Sequence, residues 1–171
     1  MWTHRGRHRP AFAMTPAAEQ ESVWDYPRPP ALLSDGRHVT ITWGDTLVLR
    51  SDRAVRVLET ASPPTFYFPP ESLTPGLLHP EPARSYCEWK GTAHYWQLRS
   101  GQRVLRRVAW CYPSPTPAFQ AIAGWLAFYP HQLDCQVDGE RVVPQGGDYY
   151  GGWVTREIVG PWKGSPDTGA W

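Results

Sequence analysis

The sequence has 171 residues, a length that fits one domain with additional terminal segments. Its formal net charge is only +1. A nucleic-acid-binding protein normally shows a clear positive excess, so we do not expect nucleic acid as a partner. Hydrophobic residues make up 41% of the chain, which indicates a globular protein. The 19 prolines, 15 glycines and 10 tryptophans favour short strands and ordered loops over long helices.

The chain has three cysteines, at positions 87, 111 and 135. This odd, sparse set predicts free thiols in a reducing compartment rather than a disulfide framework. No apolar run approaches the 18 residues or so of a membrane-spanning helix, and the first residues lack the apolar core of a signal peptide. We therefore expect a soluble, cytoplasmic protein without membrane contact.

Residues 1–20 are predicted to form a flexible N-terminal extension. Three arginines and two histidines lie within its first nine positions. They could form an arm that touches phosphates, but a loose, solvated terminus is the favoured interpretation. Residues 21–36 are rich in proline and predict an extended docking segment, which Trp24 and Tyr26 would anchor on the domain surface.

Residues 37–143 predict an all-β core domain. "HVTITW" and "LVLR" form a hairpin at Gly44-Asp45, "RAVRVLET" and "TFYFPP" are further strands, and two long strands flank Ser100-Gly101. "LAFY" is a buried strand, and a last hairpin turns at Asp138-Gly139. Helical turns are expected near Glu71 and within "TPAFQAIAGW". The pattern predicts a sandwich, a barrel or a folded pair of sheets, with long Pro/Gly/Trp-rich loops. Residues 144–171 are predicted to form an irregular C-terminal wrap.

Several common functional motifs are absent from the sequence. There is no phosphate-binding loop, no G-x-G-x-x-G, no C-x-x-C, no H-x-x-x-H and no G-x-S-x-G. We therefore expect neither a bound metal nor a cofactor.

Glu59 is the first candidate for a catalytic group. A period of two places it on one face of its strand with Val55 and Val57, at the edge of an apolar surface. A carboxylate in such a place suits general acid or base chemistry. The alternative is a strand-end glutamate that pairs with Arg53 or Arg56.

The stretch "CEWKGTAHYW", residues 87–96, concentrates reactive side chains. Lys90 could bind an anion or stabilise negative charge beside the turn at Gly91. Cys87 is either a nucleophile or a buried thiol. His94 shares a strand face with Trp96, and is either catalytic or a core residue.

Aromatic side chains could wall a polar pocket around these groups. Tyr67 faces away from its neighbours Phe66 and Phe68, and either packs in the core or joins a tyrosine rim. The same alternatives hold for the other candidate wall residues, namely Trp89, Tyr95, Trp110, Tyr112 and Tyr129. Lys163 repeats the Trp-Lys-Gly pattern of Lys90, and in an irregular tail it is expected to point to solvent.

The ordered series "RAVRVLET…PPTFYFPPESL…CEWKGTAHYW…AWCYPSP…GWLAFYP" closely resembles the domain-of-unknown-function family 427 over residues 37–130. The flanking segments resemble its longer actinobacterial members. The resemblance implies a β-tent-like domain of packed antiparallel sheets. It also implies that the family's polar motif positions cluster, which here are Glu59, Tyr67, Cys87, Lys90, Gly91 and Tyr95.

Three functions remain open. The first is an enzyme without cofactor that acts on a small polar metabolite by acid–base chemistry, as an isomerase, lyase, cyclase or hydrolase would. The second is a non-catalytic module that binds a ligand or a protein. The third is the magnesium-dependent nucleotidyltransferase suggested by the family's label. The nearest acids, Asp45, Asp52 and Glu59, are spaced seven apart and form no Asp-x-Asp pair, so the first two are favoured. The oligomeric state cannot be predicted.

Overall fold

The computed structural model describes residues 4–147 and 149–171. Short strands dominate it, as the density of proline and glycine predicts. The strands are β1 (Glu21–Ser22), β2 (Ala31–Asp35), β3 (Val39–Trp43), β4 (Thr46–Ser51), β5 (Ala54–Leu58), β6 (Thr65–Tyr67), β7 (Leu78–Cys87), β8 (Gly91–Ser100), β9 (Arg103–Cys111), β10 (Leu126–Phe128), β11 (Asp134–Val137), β12 (Glu140–Arg141), β13 (Val143–Pro144), β14 (Trp153–Val154) and β15 (Ile158–Val159). The described residues also form 3-10 helices at Pro70–Ser72, Pro117–Ile122 and Pro166–Thr168.

The predicted hairpin turns are confirmed. Strands β3 and β4 pair antiparallel across Gly44-Asp45, and Gly44 has φ +57°. Strands β11 and β12 pair across Asp138-Gly139, where both residues have positive φ, +47° and +79°. This is the backbone that a two-residue hairpin requires, and Asp-Gly adopts it readily.

Two layers of antiparallel strands make up the fold. The larger layer joins the sheet β2-β5-β6 to the sheet β10-β9-β8-β7, because Phe68 and Leu126 exchange two backbone hydrogen bonds of 2.9 Å. The smaller layer is the sheet β12-β11-β3-β4. Two ribbons of two strands accompany them, a parallel pair of β1 with β15 and an antiparallel pair of β13 with β14. The predicted all-β class of packed antiparallel sheets is confirmed, and within the described residues no sheet closes into a barrel.

The main core lies between the two layers. Phe66 and Phe68 point into it, while Tyr67 faces the opposite side of the larger layer, as the alternation along β6 predicts. Trp153 belongs to the same core although it lies in the C-terminal segment. It is 1% exposed, stacks on Phe66 at a centroid distance of 4.8 Å and donates its indole N–H to the Phe128 carbonyl at 3.0 Å. The C-terminal segment therefore supplies part of the interior.

The sequence prediction missed β2 and β7, which belong to the larger layer, and also the two-residue strands β1, β14 and β15. Strand β2 lies in the proline-rich docking segment, yet it pairs with β5 along its whole length. Strand β7 contains Pro80 and Pro82, which argue against a strand in the middle of a sheet. It is an edge strand, and its pairing with β8 shifts register between Pro80 and Arg84. An edge strand tolerates proline because one side of its backbone needs no partner.

The two ends of the chain meet on one side of the domain. Arg9 donates two hydrogen bonds of 2.7 Å to Asp25, and Phe12 stacks on Trp171 at 5.1 Å. Between residues 144 and 171 the regular structure consists of the short strands β13 to β15 and one 3-10 helix. The boundaries at residues 20, 36 and 143 stay predictions.

Candidate ligand cavity

A cavity of about 490 Å³ opens on the outer face of the larger layer, the face opposite the main core. This volume lies within the range of roughly 300–1,000 Å³ that is usual for small-molecule sites. Strands β5 to β9 and the loops next to the strands supply much of the wall, and the C-terminal segment adds Gln145, Tyr149, Tyr150, Gly151 and Lys163. Eight of the predicted site residues line it, namely Glu59, Tyr67, Cys87, Trp89, Lys90, Tyr95, Trp110 and Tyr129.

Two predicted site residues do not line this cavity. His94 pairs with Cys111 across β8 and β9, and the Cys111 side chain belongs to the main core. Directly paired residues share a sheet face, so His94 lies on the core side of β8. Gly91 has φ +96° and starts β8 directly behind the loop that carries Lys90. Gly91 therefore contributes the backbone conformation of the turn and does not form part of the cavity wall.

Glu59 follows the end of β5 and lies at the cavity wall. Its carboxylate accepts a hydrogen bond of 3.2 Å from Arg28, whose side chain is 1% exposed. Arg28 also donates to the backbone carbonyls of Thr60 at 2.8 Å and His4 at 2.9 Å. A buried guanidinium with these partners fixes the position of the carboxylate beside it.

The alternative that Glu59 pairs with an arginine such as Arg53 or Arg56 holds for the type of partner, but neither of these two arginines is the partner. Arg53 pairs with Glu71 at 3.0 Å, and Arg56 pairs with Glu21 at 3.0 Å. Alternation along β5 turns Arg56 away from the face that leads to Glu59. Arg28, 31 positions earlier, reaches Glu59 instead, a contact that no local pattern indicates.

Lys90 is 9% exposed and sits in the loop between β7 and β8. Its ammonium lies over the rings of Tyr112 and Phe119, at 5.6 and 5.7 Å from their centroids. Ring faces attract a cation, so the two rings help to hold the ammonium in place. The neighbouring Trp89 has a buried indole N–H with no hydrogen-bond partner in the described part of the chain. Thr116 fixes the loop by donating to the Trp89 carbonyl at 2.6 Å.

Lys163 corrects a prediction, because it does not point to solvent. It is 4% exposed and lines the same cavity as Lys90. Its backbone carbonyl accepts a bond of 2.8 Å from Gln145, and its backbone N–H donates to Ala61 at 2.9 Å. Burial, together with the charge of Arg28, lowers the pKa of the Lys163 amine to about 8, against the opposing effect of nearby carboxylates.

Phenol groups form the polar part of the cavity wall. The Tyr67 hydroxyl accepts a hydrogen bond of 3.1 Å from the Trp110 indole, and the Tyr95 hydroxyl lies 2.7 Å from the Ser85 hydroxyl. Burial raises the pKa of Tyr67 above its ordinary range. Burial also raises the pKa values of Tyr112 and Tyr129. These phenols therefore stay neutral near pH 7 and can donate hydrogen bonds to a ligand.

The remaining polar groups of the cavity have different exposure. Cys87 is a half-buried free thiol in the wall. Tyr86 and Tyr149 also line the cavity and are the most exposed large hydrophobic residues, at 72% and 69%. They form an aromatic rim at its opening. Glu88 is another lining residue that sequence reasoning missed.

Two searches of the described residues gave negative findings. Over residues 4–147 and 149–171, no group of three or more His, Cys, Asp or Glu side chains is placed to hold a metal ion. None of the helices in those same residues has the length and apolar character needed to cross a membrane.

The family assignment rests on a direct match. A family described as a domain of unknown function, DUF427, matches residues 31–140, which is more than half of the chain. The protein belongs to this family. No curated protein matches the chain. The matched segment contains Glu59, Cys87 and Lys90 but ends before Lys163, so the cavity includes a residue beyond the family match.

Proposed function

We propose that the protein is an enzyme that binds a small polar metabolite with an anionic group in this cavity and acts on it by acid–base chemistry. One observation carries the proposal. The sequence contains only two lysines, Lys90 and Lys163, and both are buried in the wall of this one cavity. Buried cations in a concave, aromatic-walled site are suited to hold an anionic ligand.

Anion recognition is assigned to the loop between β7 and β8. Lys90 supplies an ammonium that lies over the rings of Tyr112 and Phe119. Trp89, its neighbour in the chain, contributes an aromatic part of the same wall.

Proton transfer is assigned to Glu59. Its carboxylate is an acceptor in the cavity wall and is held in place by Arg28. A positioned acid or base contributes about 10²- to 10⁴-fold to a reaction rate. The neutral phenols of Tyr67 and Tyr129 supply further donors for oxygen atoms of the substrate. Isomerisation, elimination, cyclisation and hydrolysis are the reaction types that such a set can serve.

The test has a binding step and a turnover step. Melting temperatures are measured with small carboxylates, phosphates and amines, and with nucleoside triphosphates with and without magnesium. A ligand that binds the folded state raises the melting temperature. We expect shifts from small anions. A shift from triphosphate with magnesium alone would favour nucleotidyl transfer, and no shift from any small anion would contradict the proposal.

The turnover step uses Glu59→Gln, with Glu71→Gln as the matched control. Glu71 also pairs with an arginine but is 64% exposed and lies outside the cavity wall. Each binding anion is incubated with the protein, and its conversion is followed by NMR. We expect Glu59→Gln to lose conversion by at least about 10²-fold while it still binds the anion, and Glu71→Gln to retain both. Full conversion by Glu59→Gln would refute the role of Glu59.

A binding module without chemistry is the second candidate. The ion pair of Glu59 with Arg28 favours it, because a carboxylate engaged in this way also has a purely structural use. This candidate would be supported by an anion that raises the melting temperature but is not converted by the unaltered protein.

A further inference from the structure

We propose that Lys163 is a nucleophile that forms an imine with the substrate, so that the ligand class is a small carbonyl compound with an anionic group. This inference rests on the proposed function and deepens it. It assigns the two lysines different tasks, anion binding to Lys90 and covalent bonding to Lys163.

Lysine amines and arginine guanidinium groups differ in reactivity. Guanidinium groups stay charged in proteins, whereas an amine can lose its proton and then attack a carbon atom. Fifteen of the 17 basic residues are arginines, and the structure buries both lysines in the wall of one cavity. The side-chain amines of this protein are thus confined to the place where a ligand would bind.

The side-chain amines of Lys90 and Lys163 have different surroundings. The Lys90 ammonium lies over two ring faces, which attract a cation, at 5.6 and 5.7 Å from the ring centroids. Lys163 is buried near the positive charge of Arg28, which disfavours its cation. Glu59 and Glu88 act in the opposite sense from the same cavity wall. A lysine that is desolvated beside another cation is a known way to obtain a neutral, nucleophilic amine.

The lowered pKa increases the fraction of Lys163 that is neutral at pH 7. With its pKa at about 8, Lys163 is neutral in about a tenth of molecules at pH 7. An ordinary lysine is neutral in about three molecules in ten thousand at that pH. The reactive form is therefore enriched about 300-fold over that of an exposed lysine.

The proposed step balances without any further reactant. The lone pair of the Lys163 Nζ attacks the carbonyl carbon, a C–N bond forms, and the C=O electron pair moves to oxygen. Proton transfer from nitrogen to oxygen gives a carbinolamine. Its hydroxyl group takes up one proton from the solvent and leaves as water, while the nitrogen lone pair forms the C=N bond of a protonated imine. Glu59 is positioned to transfer these protons, since it lies in the same wall and its charge acts on the Lys163 amine.

The test traps the imine by reduction. The full chain is incubated with glyoxylate, the simplest aldehyde that carries a carboxylate, and sodium cyanoborohydride. Reduction converts each imine to a stable carboxymethyl-amine, which peptide mass mapping assigns to Lys163, Lys90 or the α-amino group. We expect Lys163 to be modified at least tenfold faster than Lys90, with a rate that rises through an apparent pKa near 8. Equal modification of the two lysines, or modification confined to the α-amino group, would overturn the inference.

Variants test which residue carries the label, and a second aldehyde tests whether the carboxylate of glyoxylate guides the reaction. Lys163→Arg should lose the cavity label, while Arg106→Met, at an exposed site outside the cavity wall, should keep it. Formaldehyde, which has no carboxylate, should label Lys163 more slowly than glyoxylate does in the unaltered protein. No preference for glyoxylate over formaldehyde would contradict anion-guided imine formation. The comparison within the unaltered chain remains decisive even if Lys163→Arg fails to fold.

The outcome also separates this inference from the function on which it rests. If small anions shift the melting temperature but Lys163 is not labelled, the imine is refuted and the anion-binding enzyme stands. If no small anion shifts the melting temperature, the proposed function itself fails.

Discussion

The sharpest stability prediction concerns the buried amine of Lys163. The side chain is 4% exposed, and its pKa falls from 10.5 to about 8 on folding. Burying the charge therefore opposes folding at neutral pH. At 1.36 kcal/mol per pKa unit, the cost is about 3 kcal/mol at pH 7, a net value that already includes the opposing effect of two carboxylates. Lys163→Met removes this cost.

The sign of the pH dependence follows from the direction of the shift. Between about pH 8 and pH 10.5 the unfolded chain holds a proton on Lys163 that the folded chain has released. The stability of the unaltered protein should therefore rise with pH across this window, relative to the variant. From pH 7 to pH 9.5 the gain should be about 2 kcal/mol.

Urea denaturation followed by tryptophan fluorescence measures this difference. The free energy of unfolding is determined at pH 7 and pH 9.5 for the unaltered protein and Lys163→Met. Arg106→Met is the control, since it removes one positive charge from an exposed site. The stability difference between unaltered protein and control should not vary with pH. A difference between unaltered protein and Lys163→Met that stays constant within about 0.5 kcal/mol would refute a desolvated amine, since the expected change is about four times larger.

Three further substitutions test the packing around the cavity and the core. Tyr67→Phe should cost about 1–3 kcal/mol in urea denaturation, because the buried Trp110 N–H loses its acceptor; an unchanged midpoint would contradict that hydrogen bond. Trp153→Ala should cost about 3–5 kcal/mol by the same measurement, and a cost below about 1 kcal/mol would show that the C-terminal segment is not part of the core. Gly151→Ala would place a methyl group against the Trp110 ring, so we expect at least tenfold weaker ligand binding by calorimetry, about 1.4 kcal/mol. Gly169→Ala, which meets open space at φ −61°, should leave affinity unchanged.

Much of the sheet structure could be predicted because its determinants are local. A period of two and the turn pairs Gly44-Asp45 and Asp138-Gly139 fix the hairpins within a few residues of sequence. Strand β7 could not be predicted in this way, since Pro80 and Pro82 are compatible with a strand only at a sheet edge. Edge position is a property of the whole sheet, and the local sequence does not contain it.

The residues of the candidate site also differ in whether the local sequence could predict them. The residues of "CEWKGTAHYW" could be proposed together because they are neighbours in sequence, and the family pattern added Glu59 and Tyr67. Lys163 could not be proposed, because its burial depends on contacts with Ala61 and Gln145 that connect distant parts of the chain. The repeated Trp-Lys-Gly was the one signal that pointed to it.

The position of Trp153 in the sequence also determines when the core can be completed during synthesis. The indole that completes the interior between the two layers lies thirteen residues beyond the end of the family match at residue 140. During synthesis the ribosome releases the strands first, with the Phe66 ring still lacking its stacking partner. The main core can therefore be completed only after residue 153 has emerged. Glu21 and Ser22 remain unpaired for longer still, because their partners Ile158 and Val159 are synthesised later.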